Sequence, residues 1–129
     1  HQNMKLFLIL LSSFLIVTDP GKISKINSLK NEARKAYNAG DYQKAAAHYK
    51  LLKDSLAVQE DELTINLANA YYQLNDTTEA LTHYQAISAS ANNTIRSKAN
   101  QQLGIINNKQ GKFEEALTYF KQSIKADPN

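Results

Sequence analysis

Gln110-Gly111-Lys112-Phe113-Glu114-Glu115-Ala116, with Phe120 behind it, decides the fold because the chain carries it three times. Ala39-Gly40-Asp41-Tyr42-Gln43-Lys44-Ala45 precedes Tyr49 in the same way, and Leu74-Asn75-Asp76-Thr77-Thr78-Glu79-Ala80 precedes Tyr84. Ala45, Ala80 and Ala116 therefore recur every 35 to 36 residues, as do Tyr49, Tyr84 and Phe120. A period of this length is the mark of a repeat architecture, in which each unit covers the apolar face of its neighbour.

Each unit reads as two helices around a tight turn. Leu29, Ala33, Ala36 and Tyr37 precede the first turn at helical spacing, and Ala80, Leu81, Tyr84 and Ile87 follow the second. Gly40 and Gly111 suit the left-handed conformation that ends a helix, and Asn75 is the next most tolerant residue for it. Asp41 and Asp76 are placed to cap the helix that follows. The recurring Ala is small where two helices approach closely, and the recurring aromatic fills the hairpin. These signature residues are expected to pack rather than to do chemistry.

On these residues the stretch from about 26 to 129 resembles the tetratricopeptide repeat, whose period is about 34. The third copy carries the motif most fully, with Leu103-Gly104, Gly111, Phe113, Ala116, Phe120 and Pro128 in order. The second has Leu67-Ala68, Tyr71, Ala80 and Tyr84 but Thr77 where an aromatic is expected. The first has Ala33, Gly40, Tyr42, Ala45 and Tyr49 but no closing Pro. The resemblance implies an all-α fold: an α-solenoid of three helix-turn-helix units wound as a right-handed superhelix, with repeats at about 26–60, 61–96 and 97–129. The extra residues fall in linkers at 55–61 and 88–94.

Residues 4–18 read MKLFLILLSSFLIVT. One Lys precedes an apolar run over residues 6–17, shorter than the ~20 residues that span a bilayer but of the length of a secretory h-region. Residues 1–20 are therefore expected to be an export signal or a retained N-terminal membrane anchor, and 21–129 the repeat domain. A buried helix of a soluble domain is the competing reading. No small-x-small cleavage pattern precedes Asp19-Pro20, and the chain has no Cys, which excludes disulfides, thiolate chemistry and lipid attachment through Cys. The expected location is exported, either periplasmic or membrane-anchored.

Hydrophobic residues make up 43% of the chain and charged residues 21%, as in an ordinary folded protein. Lys and Arg number 15 against 12 Asp and Glu, and this +3 is too small to imply a nucleic-acid surface. No phosphate loop, zinc motif or nucleophile motif is present, so the expectation is no enzyme, no catalytic residue, no metal and no cofactor. His48 and His83 share one repeat position about a helix diameter (~10 Å) apart, too far to hold one ion. They are expected to be surface or inter-helix polar residues.

The resemblance implies that the first helix of each pair lines a concave groove that binds a protein or peptide partner. The positions expected there are Lys30, Arg34, Tyr37, Asn66, Asn69, Tyr72, Lys98, Gln102 and Ile105, with Asn27, Ile65 and Lys109 among their neighbours. One group within the family captures a peptide's C-terminal carboxylate with Lys and Asn from the first helix, Asn from the second, and Lys and Arg from the third. Lys30, Asn66 and Lys98 match that set, whereas Arg34 stands where Asn is expected and Gln102 where Arg is expected. More narrowly, the short apolar N-terminus, Leu67-Ala68-Asn69-Ala70-Tyr71-Tyr72 and the stretch 109–116 resemble exported repeat proteins of bacterial aerotolerance (Bat) operons. That likeness implies a membrane-associated scaffold for neighbouring operon products. Two other expectations stand beside the groove. The ends of the stack could self-associate as an assembly element, or the repeats could be an accessory domain of a protein continuing past residue 129.

Overall fold

The computed structural model describes residues 19–129. Residues 1–18 of the expected signal or anchor, 1–20, lie outside the described residues, and its last two, Asp19 and Pro20, cap and open the first helix. Among the described residues there are six helices and no strand. They are α1 (Pro20–Asn38), α2 (Tyr42–Asp54), α3 (Asp61–Gln73), α4 (Thr77–Ala86), α5 (Asn93–Lys109) and α6 (Phe113–Ala126). None of them is long and apolar enough to cross a membrane.

Local chemistry sets the helix ends. Asp19 accepts a hydrogen bond from the Gly21 amide at 3.0 Å, and Pro20 occupies the first turn, where its missing N–H costs nothing. Asp41 caps the Lys44 amide, Asp76 caps the Glu79 amide, and Asn92 caps Thr94 and Ile95. Lys112 opens α6 without a side-chain cap. The three hairpin turns take the expected left-handed residue: Gly40 at φ 80°, Asn75 at φ 59° and Gly111 at φ 77°.

A fourth left-handed residue was not expected. Ala57 sits at φ 53° in the linker between α2 and α3, with the Val58 amide bonded back to the Leu52 carbonyl. It stands at the repeat position that Pro128 fills in the third copy. A proline there would need φ near −65°, so the missing proline of the first copy follows from the backbone path.

Each helix packs on its sequence neighbour, and α3 also touches α5, so the pairs stack in one direction as an α-solenoid. One buried cluster joins repeats one and two through Ala33, Ala45, Tyr49, Leu52, Leu63 and Leu67. A second joins repeats two and three through Ala68, Ala80, Tyr84, Ile87, Ala99 and Leu103. Within the third pair the Phe120 ring sits against Gly104, where a Cβ would lie 2.5 Å from it. The same pair is tied at its far end: Ser97 donates to the Ser123 carbonyl at 3.0 Å and Ser123 to the Ser97 carbonyl at 2.8 Å.

The second linker is pinned by side chains. Arg96 donates to the Ser90 carbonyl at 2.6 Å, and Asn100, buried, donates to the Ser88 carbonyl at 2.9 Å. Buried amides and carbonyls are thereby satisfied without a regular element.

Candidate functional site

The first helices of the three pairs are α1, α3 and α5. Between α1 and α3 lies a recess of about 510 Å³, lined by Asn27, Lys30, Asn31 and Arg34 from one wall and Glu62, Leu63 and Asn66 from the other. Tyr49 reaches it from α2, and Glu60 closes it from the residue before α3. The side chains reach one space because Asn27, Lys30, Asn31 and Arg34 recur three to four residues apart on one helix face.

The charges in this recess are partly spent on each other. Lys30 Nζ donates to both Glu60 carboxylate oxygens at 2.9 Å. Arg34 donates to Asn31 Oδ1 at 3.1 Å, within its own helix. Burial raises the Tyr49 phenol above its ordinary value, so the ring presents a neutral hydroxyl.

The next joint, between α3 and α5, is organised by Tyr84. Its ring is fully buried in the second core cluster, yet its hydroxyl donates to Asn69 Oδ1 and accepts from Gln102 Nε2 at 3.3 Å. Burial pushes this phenol up to about 12. The repeat-signature aromatic is thus more than packing: one atom of it orders two residues of the expected groove. Farther along, Lys109 Nζ donates to the Tyr72 hydroxyl at 2.8 Å, beside a second recess of about 330 Å³ that also includes Gln73 and Ile106.

Among the expected residues, Lys30, Arg34 and Asn66 come together in the first recess. Asn69 and Gln102 meet at the Tyr84 hydroxyl, and Tyr72 joins Lys109. Lys98 is exposed on α5 and Ile105 half-buried, neither lining the first recess. Tyr37 is half-buried edge-on against Tyr42, with ring centres 5.1 Å apart. Ile65 is a correction: expected on the groove, it is 6% exposed and belongs to the second core cluster. Asn31 and Glu60 were missed. Asn31 is repeat-equivalent to Asn66 and Gln102, so the period itself carried the signal. Glu60 carried none, because its pairing spans thirty residues of sequence.

The two histidines lie apart in character. His83 Nδ1 donates to the Glu79 carbonyl at 2.8 Å and its ring lies 5.4 Å from Tyr71. His48 Nε2 is buried without a hydrogen-bond partner, and the nearest carboxylate oxygen, on Glu32, is 3.6 Å away. Among the described residues no group of three or more acidic or histidine side chains is placed to hold a metal ion.

Comparison with known families agrees with the geometry. Residues 59–129, more than half of the chain, match the tetratricopeptide repeat. No curated protein matches the chain. The match covers α3 to α6, and the first helix pair repeats the same turn, cap and packing residues ahead of it. Such repeats generally mediate protein–protein interaction and serve as scaffolds rather than enzymes. A family match over the larger part of the chain, a period of 35 to 36 residues and three stacked helix hairpins together place this chain in the tetratricopeptide repeat family.

Proposed function

We propose that the protein is an interaction scaffold that binds a peptide or helix of another protein along the concave face formed by α1, α3 and α5. The observation that carries this is the recess between α1 and α3, where amides, cations and acids line one space together with Tyr49. Asn27 and Asn66 each offer a donor and an acceptor, the pairing that an extended main chain needs, and Asn31, whose oxygen accepts from Arg34, adds its amide donors. Tyr72 adds a flat contact of low entropic cost.

A terminal carboxylate is the less favoured ligand of this face. Lys30 is held by Glu60 and Gln102 by Tyr84, which leaves Arg34 and Lys98 as the cations for it. A segment that presents backbone amides and a basic side chain to Glu62 fits the recess better.

The proposed location is the far side of a membrane, supported by Lys5 and the apolar run over residues 6–17. The likeness of stretches 67–72 and 109–116 to repeat proteins of aerotolerance operons supports partners encoded by neighbouring genes.

Selection of displayed random peptides on the chain, followed by binding measurements on the winners, tests the groove. Lys30→Ala, Asn66→Ala, Tyr72→Ala and Lys98→Ala together are expected to weaken binding by about tenfold or more, with the helical circular dichroism spectrum intact. Unchanged affinity would remove the groove from the reading.

A further inference from the structure

The first and last described helices differ in kind on their outward faces. Where a first helix receives the preceding repeat, α3 offers Leu63, Leu67 and Ala70, and α5 offers Ala99, Leu103 and Ile106, all buried. The equivalent positions of α1 are Ser28, Glu32 and Lys35, all exposed. This face of α1 is polar.

The outward face of α6 is apolar. Where the second helices hold the repeat that follows, Ala46 and Tyr49 of α2 are buried and so is Tyr84 of α4. In α6 the same positions carry Leu117 and Phe120. Leu117 is 53% exposed, with Phe113 at 67% and Ile124 at 63%. Phe113, Leu117, Phe120 and Ile124 follow each other at intervals of four, three and four, which makes one continuous seam of the kind that pairs helices.

We infer that this seam is the contact between two copies of the chain, formed by antiparallel pairing of α6 with α6. Head-to-tail stacking would lay the seam on Ser28, Glu32 and Lys35, leaving a hydroxyl and two charged groups against apolar ones. A two-fold pairing lays it on itself, Phe113 against Ile124 and Leu117 against Phe120 of the other copy. The flanking charges select the antiparallel direction. Glu114 and Glu115 lie at the start of α6, Lys121 and Lys125 toward its end. Antiparallel pairing brings Glu114 of each copy beside Lys121 of the other, whereas a parallel pair would set that flank against Ala116 and Ser123 and form no ion pair. The contact is independent of the groove, which lies on the other helices.

The chain has no Cys, so a single introduced one reports cleanly. The test is oxidative cross-linking of the full chain in mild detergent, together with sedimentation over a concentration series. Leu117→Cys, next to the two-fold axis, is expected to form a disulfide dimer. Ile124→Cys is not, since its two copies would lie roughly 16 Å apart at 1.5 Å of rise per residue, beyond disulfide reach. Phe113→Cys mixed with Ile124→Cys is expected to cross-link. In sedimentation, Leu117→Asp, Glu114→Lys and Lys121→Glu each shift dimerisation to higher concentration, and the two charge reversals together restore it.

A monomer at every concentration overturns the inference. So does association that ignores Leu117→Asp, or equal cross-linking at positions 117 and 124. Association lost only on deleting residues 4–18 assigns it to that segment and overturns the inference as well. A longer gene product that is monomeric because a following helix covers the seam does the same. Should Leu117→Asp unfold the chain, the cross-linking pattern still decides.

Discussion

Replacing Tyr84 with Phe removes one oxygen from the joint between repeats two and three and leaves the ring in place. No cavity forms, so the cost is that of the hydrogen bonds. The hydroxyl donates to Asn69 and accepts from Gln102 at 3.3 Å, in a site with no exposed ring surface. One good bond and one long one give a loss of about 1–2 kcal/mol at pH 7.

The same oxygen makes a contribution of opposite sign at high pH. Burial raises the phenol from 10.0 to about 12, so the folded state resists ionisation while the unfolded chain ionises from pH 10. The stabilisation due to the neutral phenol is complete below pH 10 and is lost as the pH rises toward the folded value. Two pH units correspond to about 2.7 kcal/mol, of which about 1.4 has gone by pH 11. Tyr84→Phe has no such loss. The wild-type advantage should therefore close near pH 11 and reverse by pH 12. Tyr37, Tyr49 and Tyr71, which burial also raises, are common to both proteins and cancel in the difference. Urea unfolding followed at 222 nm at pH 7, 9, 11 and 12 measures this. A deficit that stays constant with pH would refute the buried neutral phenol, and no deficit at pH 7 would refute the hydrogen-bonded joint.

Three further substitutions probe other features. Glu60→Gln frees the Lys30 ammonium from an exposed pair, so stability should change by less than about 1 kcal/mol while free-acid peptides gain several-fold over amidated ones; fluorescence titration of a matched peptide pair reads the ratio, and an unchanged ratio would show that Lys30 does not face the ligand. Ala57→Gly relieves a left-handed backbone that costs an L-residue roughly 1–2 kcal/mol, less about 0.5–1 kcal/mol of added chain freedom, so the melting temperature should rise slightly. Gly104→Ala forces a methyl into the Phe120 ring, and overpacking of roughly 1–3 kcal/mol exceeds the ~1 kcal/mol gained in helix propensity. A stabilised Gly104→Ala variant would show that the ring swings aside freely.

The hairpins were legible because their determinants are local. Gly40, Asn75, Gly111, Asp41 and Asp76 act within a few residues of themselves, and each took the conformation or the cap that its chemistry favours. The lining of the recess between α1 and α3 was legible only in part, because which flank of a first helix faces outward depends on how one repeat is rotated against the next. That rotation buried Ile65, turned Tyr37 onto Tyr42 and brought Glu60 to Lys30. Ala57 gave no signal at all. Nothing in an alanine announces a positive φ, and the linker imposes it through the Val58–Leu52 bond.

The two joints of the stack are built from different materials. Across the first, the ion pair Lys30–Glu60 links α1 to the start of α3 at the surface, with Lys53 donating to Thr64 behind it. Among the described residues the second is crossed by no pair of opposite charges: Tyr84 joins Asn69 and Gln102, Asn100 holds the Ser88 carbonyl, and Lys109 donates to the neutral Tyr72 hydroxyl. Mobile ions screen an exposed pair and leave buried neutral bonds nearly untouched. The solenoid is therefore a spring with unequal coils, whose N-terminal coil softens as salt rises while the C-terminal coil keeps its pitch.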